Sequence, residues 1–104
     1  MSEPKQGNQN LPAVLAALDN PHRLRIIQAL RGKTNYVSQL ARDLGISRPL
    51  LIMHLKKLEE AGLVSSELEM SEDGKALRFY QIEDFDIHLT PDEVAKAAAK
   101  LPEE

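Results

Sequence analysis

The residues with the plainest chemistry in this chain are its cations. Between Pro21 and Lys57 it carries Arg23, Arg25, Arg31, Lys33, Arg42, Arg48, Lys56 and Lys57, with Asp43 the only acid. Eight cations against one anion make that segment +7, so with a net charge of −3 over all 104 residues the remainder carries −10. A local excess of this kind points to a polyanionic partner, because phosphate contact depends on the field at the contact and not on the total charge. Taken singly, each such residue could equally be a solvated helix face.

Other chemistries find less support. The chain has no cysteine, which removes disulfides, cysteine nucleophiles and thiolate sensing of arsenic, cadmium or mercury. It has no Gly-rich phosphate loop and no nucleophile in a recognisable motif, so it reads as a non-enzyme without a cofactor. Asp84, Asp86 and His88 alternate as three potential zinc or nickel ligands, followed by Asp92 and Glu93. No second histidine lies nearby, and alternating acids are the ordinary solvent side of a strand, so no metal site is expected.

The elements that must position the cations follow from periodicity and punctuation. Residues 1–10 are polar and read as a disordered leader. A first helix begins near Leu11, with Leu11, Val14, Leu15 and Leu18 on one stripe. Asn20 and Pro21 cap and open a second, expected to turn Leu24, Ile27 and Leu30 inward with Ile26 on a flank, and to end at Gly32. After a short extended connection, Lys33 to Val37, a third helix covers Val37 to Leu44 and buries Val37, Leu40, Ala41 and Leu44. Gly45 can end it in the left-handed conformation, and Ser47 caps a fourth helix from Arg48 to about Ala61, stopped by Gly62. Two helices separated by Gly45-Ile46-Ser47 have the spacing of a helix-turn-helix.

From Leu63 the period changes to two. Val64, Ser66, Leu68 and Met70 form one strand face, and Ala76, Arg78, Tyr80 and Ile82 alternate with Leu77 and Phe79 on a second strand. Ser71-Glu72-Asp73-Gly74 between them is hairpin-turn chemistry. Phe85, Ile87 and Leu89 alternate again, which predicts a C-terminal strand; Thr90-Pro91-Asp92-Glu93 then opens a last helix presenting Val94, Ala97, Ala98 and Leu101. The fold class is mainly α (α+β): a three-helix core with a β-hairpin wing and flanking terminal helices. Residues 11–82 are expected to form a winged helix-turn-helix unit suited to binding DNA, and 83–104 a C-terminal strand and helix expected to serve dimerisation.

With that order on the page, the sequence resembles the ArsR-type winged helix-turn-helix regulators. The likeness is carried by ALDNPHRLRIIQAL at 17–30, VSQLARDLGIS at 37–47, HLKKLEEAGLVSS at 54–66 and LRFYQI at 77–82, and covers most of Leu15 to Ile82. The resemblance implies a DNA-binding homodimer that represses promoters, with first and last helices at the dimer interface. His54 matches the core histidine of the family's recognition helix, which implies a structural role.

The chain also departs from the family pattern. Where small polar residues are usual, Arg48 is followed by Pro49, Leu50, Leu51, Ile52 and Met53. On a helical wheel Leu51, Leu55 and Leu58 face the core, Pro49, Met53, Lys56 and Glu60 face away, and Leu50 and Ile52 flank that outer side. Exposed apolar residues there suit thymine methyls or, alternatively, a protein partner. The wing carries Glu67, Glu69, Glu72 and Asp73 against Lys75 and Arg78, so modest sequence discrimination is expected. The expected DNA-binding set is Arg42, Ser47, Arg48, Pro49, Ile52, Met53, Lys56, Lys57, Lys75 and Arg78.

The first helix stripe (Leu11, Val14, Leu15, Leu18) and the Ala-rich last helix (Val94, Ala97, Ala98, Leu101) lack obvious partners within so small a chain. A symmetric pair would bury both and set two recognition helices about one DNA turn, ~34 Å, apart on a near-palindromic site. The reading is thus a sequence-specific double-stranded DNA-binding regulator, located in the cytoplasm without membrane contact, its effector left open. The alternative is a winged-helix protein–protein interaction module with weak or no DNA binding.

Overall fold

The computed structural model describes residues 10–103. The expectation of a disordered leader falls almost wholly on residues 1–9, outside the described residues. In chain order the elements are α1 (Leu11–Leu18), α2 (Pro21–Leu30), β1 (Asn35–Tyr36), α3 (Val37–Leu44), α4 (Arg48–Glu60), β2 (Val64–Met70), β3 (Ala76–Ile82) and α5 (Pro91–Ala99).

Short-range chemistry sets most of these boundaries. Asn20 Oδ1 accepts the His22 N–H at 2.9 Å, Ser47 Oγ that of Leu50 at 3.3 Å, and Thr90 Oγ1 that of Glu93 at 3.1 Å. Each satisfies a donor that the helix start leaves without an intrahelical partner. At the other end of α3, Gly45 has φ +68°, its N–H donates to the Arg42 carbonyl, and the Ile46 N–H donates to the Ala41 carbonyl at 3.2 Å. This paired closure reverses the chain sharply enough for α4 to start three residues later. Gly62, at φ +78°, closes α4 in the same way, with the Leu63 N–H on the Leu58 carbonyl at 3.0 Å.

The core gathers around α4. Leu51, Leu55 and Leu58 have no exposed surface and pack with Val14, Ile26, Leu30, Leu40, Leu63 and Val64. Two expectations about helix faces need correction. In α2 Ile26 is fully buried and Leu24 is 54% exposed, because the helix lays its Ile26–Leu30 edge on the core and carries Leu24 to the opposite side. In α1 Leu11, Val14 and Ala17 are buried, Leu18 is half-buried and Leu15 is exposed. The helix therefore has a partner inside the protomer, since it packs on α2 and α4.

The sheet is three-stranded and antiparallel in the order β1-β3-β2. The connection before α3 thus adds a strand, with Asn35 opposite Tyr80 and Tyr36 opposite Phe79. The expected C-terminal strand does not form: residues 83–90 belong to no ladder. The Glu83 N–H still donates to the Leu63 carbonyl at 3.0 Å, and beyond it the chain leaves the sheet. The alternation has another cause, since Phe85 and Ile87 pack half-buried against the core while Leu89 is exposed. Helix α5 buries none of its residues and contacts α1. Among the described residues, no helix is long and apolar enough to cross a membrane.

A Cβ at Gly45 would meet nothing within 4 Å, so substitution there tests the backbone alone. Gly45→Ala should cost about 1–2 kcal/mol in urea unfolding from left-handed strain, and Gly45→Asn less. An unchanged midpoint for both would contradict this account of the turn.

Candidate nucleic-acid interface

Helix α4 presents one continuous outer face. Because Leu51, His54, Leu55 and Leu58 are buried, the helical period turns Arg48, Pro49, Ile52, Met53 and Lys56 to solvent, and all five are exposed. Ser47, at the N-cap, is exposed beside them. Lys57 is also exposed but sits elsewhere, lining a groove with Ala13, Ala16, Arg23 and Glu60 on the α1 side of α4. At the end of α3 the Arg42 guanidinium donates to Gln39 Oε1 at 2.6 Å, and Gln39 Nε2 donates to Asp43 Oδ1 at 2.8 Å. The lone acid of the basic segment is thereby held next to amides.

The wing sorts its charges by face. In an antiparallel pair, residues directly opposite each other project to the same side. Arg78 pairs with Leu68, whereas Glu67 pairs with Phe79 and Glu69 with Leu77, so these two acids lie on the face away from Arg78. Arg78 Nη1 donates to Ser66 Oγ at 3.0 Å. It shares a groove with Arg48, Ile52, Tyr36 and Ser38, between α4, the start of α3 and β3. Lys75 is exposed at the hairpin end, beside the exposed acids Glu72 and Asp73. The Ser71 hydroxyl donates to the Asp73 carboxylate and, ahead of smaller opposing burial, holds its pKa below the usual value.

Tyr36 and Ser38 were invisible as candidates from sequence. Tyr36 is placed by β1 pairing and by an edge-on contact with Phe79, ring centroids 5.5 Å apart. The one available signal was the polar-aromatic pair Asn35-Tyr36 in a short extended connection, and it says nothing about which strand lies beside it.

A polar latch holds α4 from behind. Arg23 Nε donates to His54 Nδ1 at 3.1 Å, and Arg23 Nη1 donates to the carbonyls of Ala16 at 3.3 Å and Ala17 at 3.2 Å. One side chain of α2 thus ties α1 to α4. His54 is 3% exposed and Nδ1 accepts, so the proton resides on Nε2, which has no hydrogen-bond partner among the described residues. Burial first, then the Arg23 charge and His22, whose ring lies 5.3 Å away, hold the His54 pKa below its ordinary value.

The remaining candidates divide. Asp84, Asp86 and His88 are exposed on a segment that is not a strand, so the expected i, i+2, i+4 face is not built. Among the described residues, no three or more His, Cys, Asp or Glu are grouped to hold a metal ion. Of the expected dimer-contact residues, Leu11 and Val14 are already buried in the protomer; Leu18 and Ala97 are half-buried; Leu15, Val94, Ala98 and Leu101 are exposed.

Residues 20–66 match the family described as bacterial regulatory protein, arsR family. An HTH-type transcriptional regulator of Methanocaldococcus jannaschii is 36% identical over 80 residues, covering 77% of this chain and 83% of that one. The solution structure of a homodimeric winged helix-turn-helix DNA-binding domain from Mycobacterium bovis is similar with a TM-score of 0.64 at 23% identity, over 86% of this chain and 73% of that one. HlyU from Vibrio cholerae is similar with a TM-score of 0.61 at 23% identity, over 86% and 83% of the two chains. These structural likenesses concern the fold.

The latch has a pH signature. The unfolded chain takes up a proton at His54 near the ordinary value of 6.5, before the folded chain does. Stability contributed by the neutral ring is therefore complete above that value and falls as pH drops below it. Melting temperature should decline from pH 7.5 to about 5.5, and His54→Asn, which keeps an acceptor for Arg23 but cannot titrate, should flatten the decline. An equal decline in both proteins would exclude the latch as its cause.

Proposed function

The chain belongs to the arsR family of bacterial regulatory proteins, and on that premise we propose that it binds double-stranded DNA as a homodimer and represses transcription by occupying promoter sites. The observation that carries this reading is the exposed outer face of α4, with Arg48 and Lys56 at its border and Arg78 of the wing across a shared groove. A major groove about 12 Å wide admits a helix of α4's cross-section, and the wing then reaches the neighbouring backbone. Arg48, Lys56, Arg42, Lys75 and Arg78 serve the phosphates or the base edges, while Ser47 and Pro49 lie at the helix end that enters the groove.

The dimer rests on α5. Val94 and Ala98 of α5, Leu101 just beyond its end and Leu15 of α1 are apolar side chains that the protomer leaves exposed. The similar M. bovis domain is homodimeric. A two-fold pair sets its recognition helices about 34 Å apart and selects a near-palindromic site. Such a regulator works in the cytoplasm, where the DNA is.

Binding to random duplex should weaken linearly with log salt, by about 0.9 in slope per phosphate neutralised. Lys56→Gln should lower that slope by about 0.9 on every sequence, Lys57→Gln should lower it less, and Arg48→Ala should chiefly blur sequence preference. Absence of duplex binding at low salt would reject the reading. In sedimentation, Val94→Glu combined with Leu101→Glu should convert dimer to monomer, and a persistent dimer would move the interface off α5.

A further inference from the structure

The outer face of α4 carries an unusual set of tools for reading bases. Its exposed residues are Arg48, Pro49, Ile52, Met53 and Lys56, followed by the acids Glu59 and Glu60 toward the far end. No Asn or Gln stands there to grip adenine, and the Ser47 hydroxyl oxygen is engaged by the Leu50 N–H. Within the major-groove code, Arg suits guanine, and apolar side chains suit only the 5-methyl group of thymine. Ile52 is 48% exposed and Met53 46%, so much of each apolar side chain faces water in the free protein.

The surroundings of these two side chains decide between occupants. Arg48 and Arg78 line one groove with Ile52, and Lys56 stands one turn along from Met53. An apolar centre framed by cations complements a groove floor of methyl groups between walls of phosphate. It suits an apolar protein surface less well, because that partner would have to desolvate the same cations.

Resting on the DNA-binding reading above, we propose that Ile52 and Met53 are specificity-determining residues that recognise thymine through its 5-methyl group. The operator is then thymine-containing at the positions under the middle of α4, on either strand. Arg48 supplies the polar contact at the entering end of the helix. Burying each methyl against these side chains removes apolar surface from water on both partners.

The test uses the full chain and a duplex selected from a random-core pool. Each thymidine of that duplex is replaced in turn by deoxyuridine, which deletes only the methyl. At one or more positions in each half-site, affinity should fall about fourfold per contacted methyl. In Ile52→Ala or Met53→Ala the same replacement should cost less than twofold at the position that residue reads. Both side chains are exposed, and an unchanged melting temperature confirms that the variants fold. Uracil tolerated everywhere, or penalties equal in the wild-type chain and both variants, overturns the proposal while leaving salt-dependent duplex binding, and hence the regulatory reading, intact. No binding to any duplex of the pool at low salt overturns both.

Discussion

Helix α4 is the element against which most others are packed. Its inner stripe of Leu51, Leu55 and Leu58 has no exposed surface, and α1, α2, α3 and β2 all contact the helix. Fully burying a leucine is worth about 1.5–3 kcal/mol relative to leaving it exposed, so this one face anchors the domain. With the inner stripe committed, 3.6-residue periodicity leaves no freedom over what faces outward. The functional surface is the geometric complement of the core.

Polar groups refine that arrangement where leucines could not. Arg23 spans from the carbonyls at the end of α1 to the ring of His54, which resists rotation of α4 about its own axis. Asn35 performs a similar service at the sheet edge: it is buried, its Oδ1 accepts the Tyr36 N–H at 2.9 Å, and its Nδ2 donates to Asp43. These bonds are directional, so they set orientation more tightly than apolar contact does. The cost is visible at His54 Nε2, a buried donor without a partner among the described residues.

Charge takes its meaning from this geometry. Counted along the chain, residues 21–57 form one basic block. In space the block disperses: Arg23 is consumed by the latch, Lys57 turns toward α1, and Arg42 leans on Gln39. Arg78, from outside the block, joins Arg48 across the groove. The acidic wing is likewise less hostile to phosphate than its composition suggests, because strand register turns Glu67 and Glu69 away from Arg78.

The caps, the turn at Gly45, the hairpin at Asp73-Gly74 and the inner stripe of α4 were all legible in the sequence, because each depends on contacts within a few residues. A hydroxyl reaches its own helix start, and a left-handed φ favours glycine whatever lies around it. Three features were decided only in the assembled structure. Leu24 and Ile26 are both apolar, and which one faces inward follows from how α2 lies on its neighbours. Asn35-Tyr36 became a strand and Phe85-Asp86-Ile87 did not, although only the second alternates, because Asn35-Tyr36 lies along the edge of β3 whereas Phe85 and Ile87 turn to the core outside any ladder. Val14 went to the protomer core because α1 found room against α2 and α4, and Leu11 is buried at the end of α1 that meets α5. Local backbone preference is written residue by residue, but the choice among equivalent apolar side chains belongs to whichever surfaces they meet.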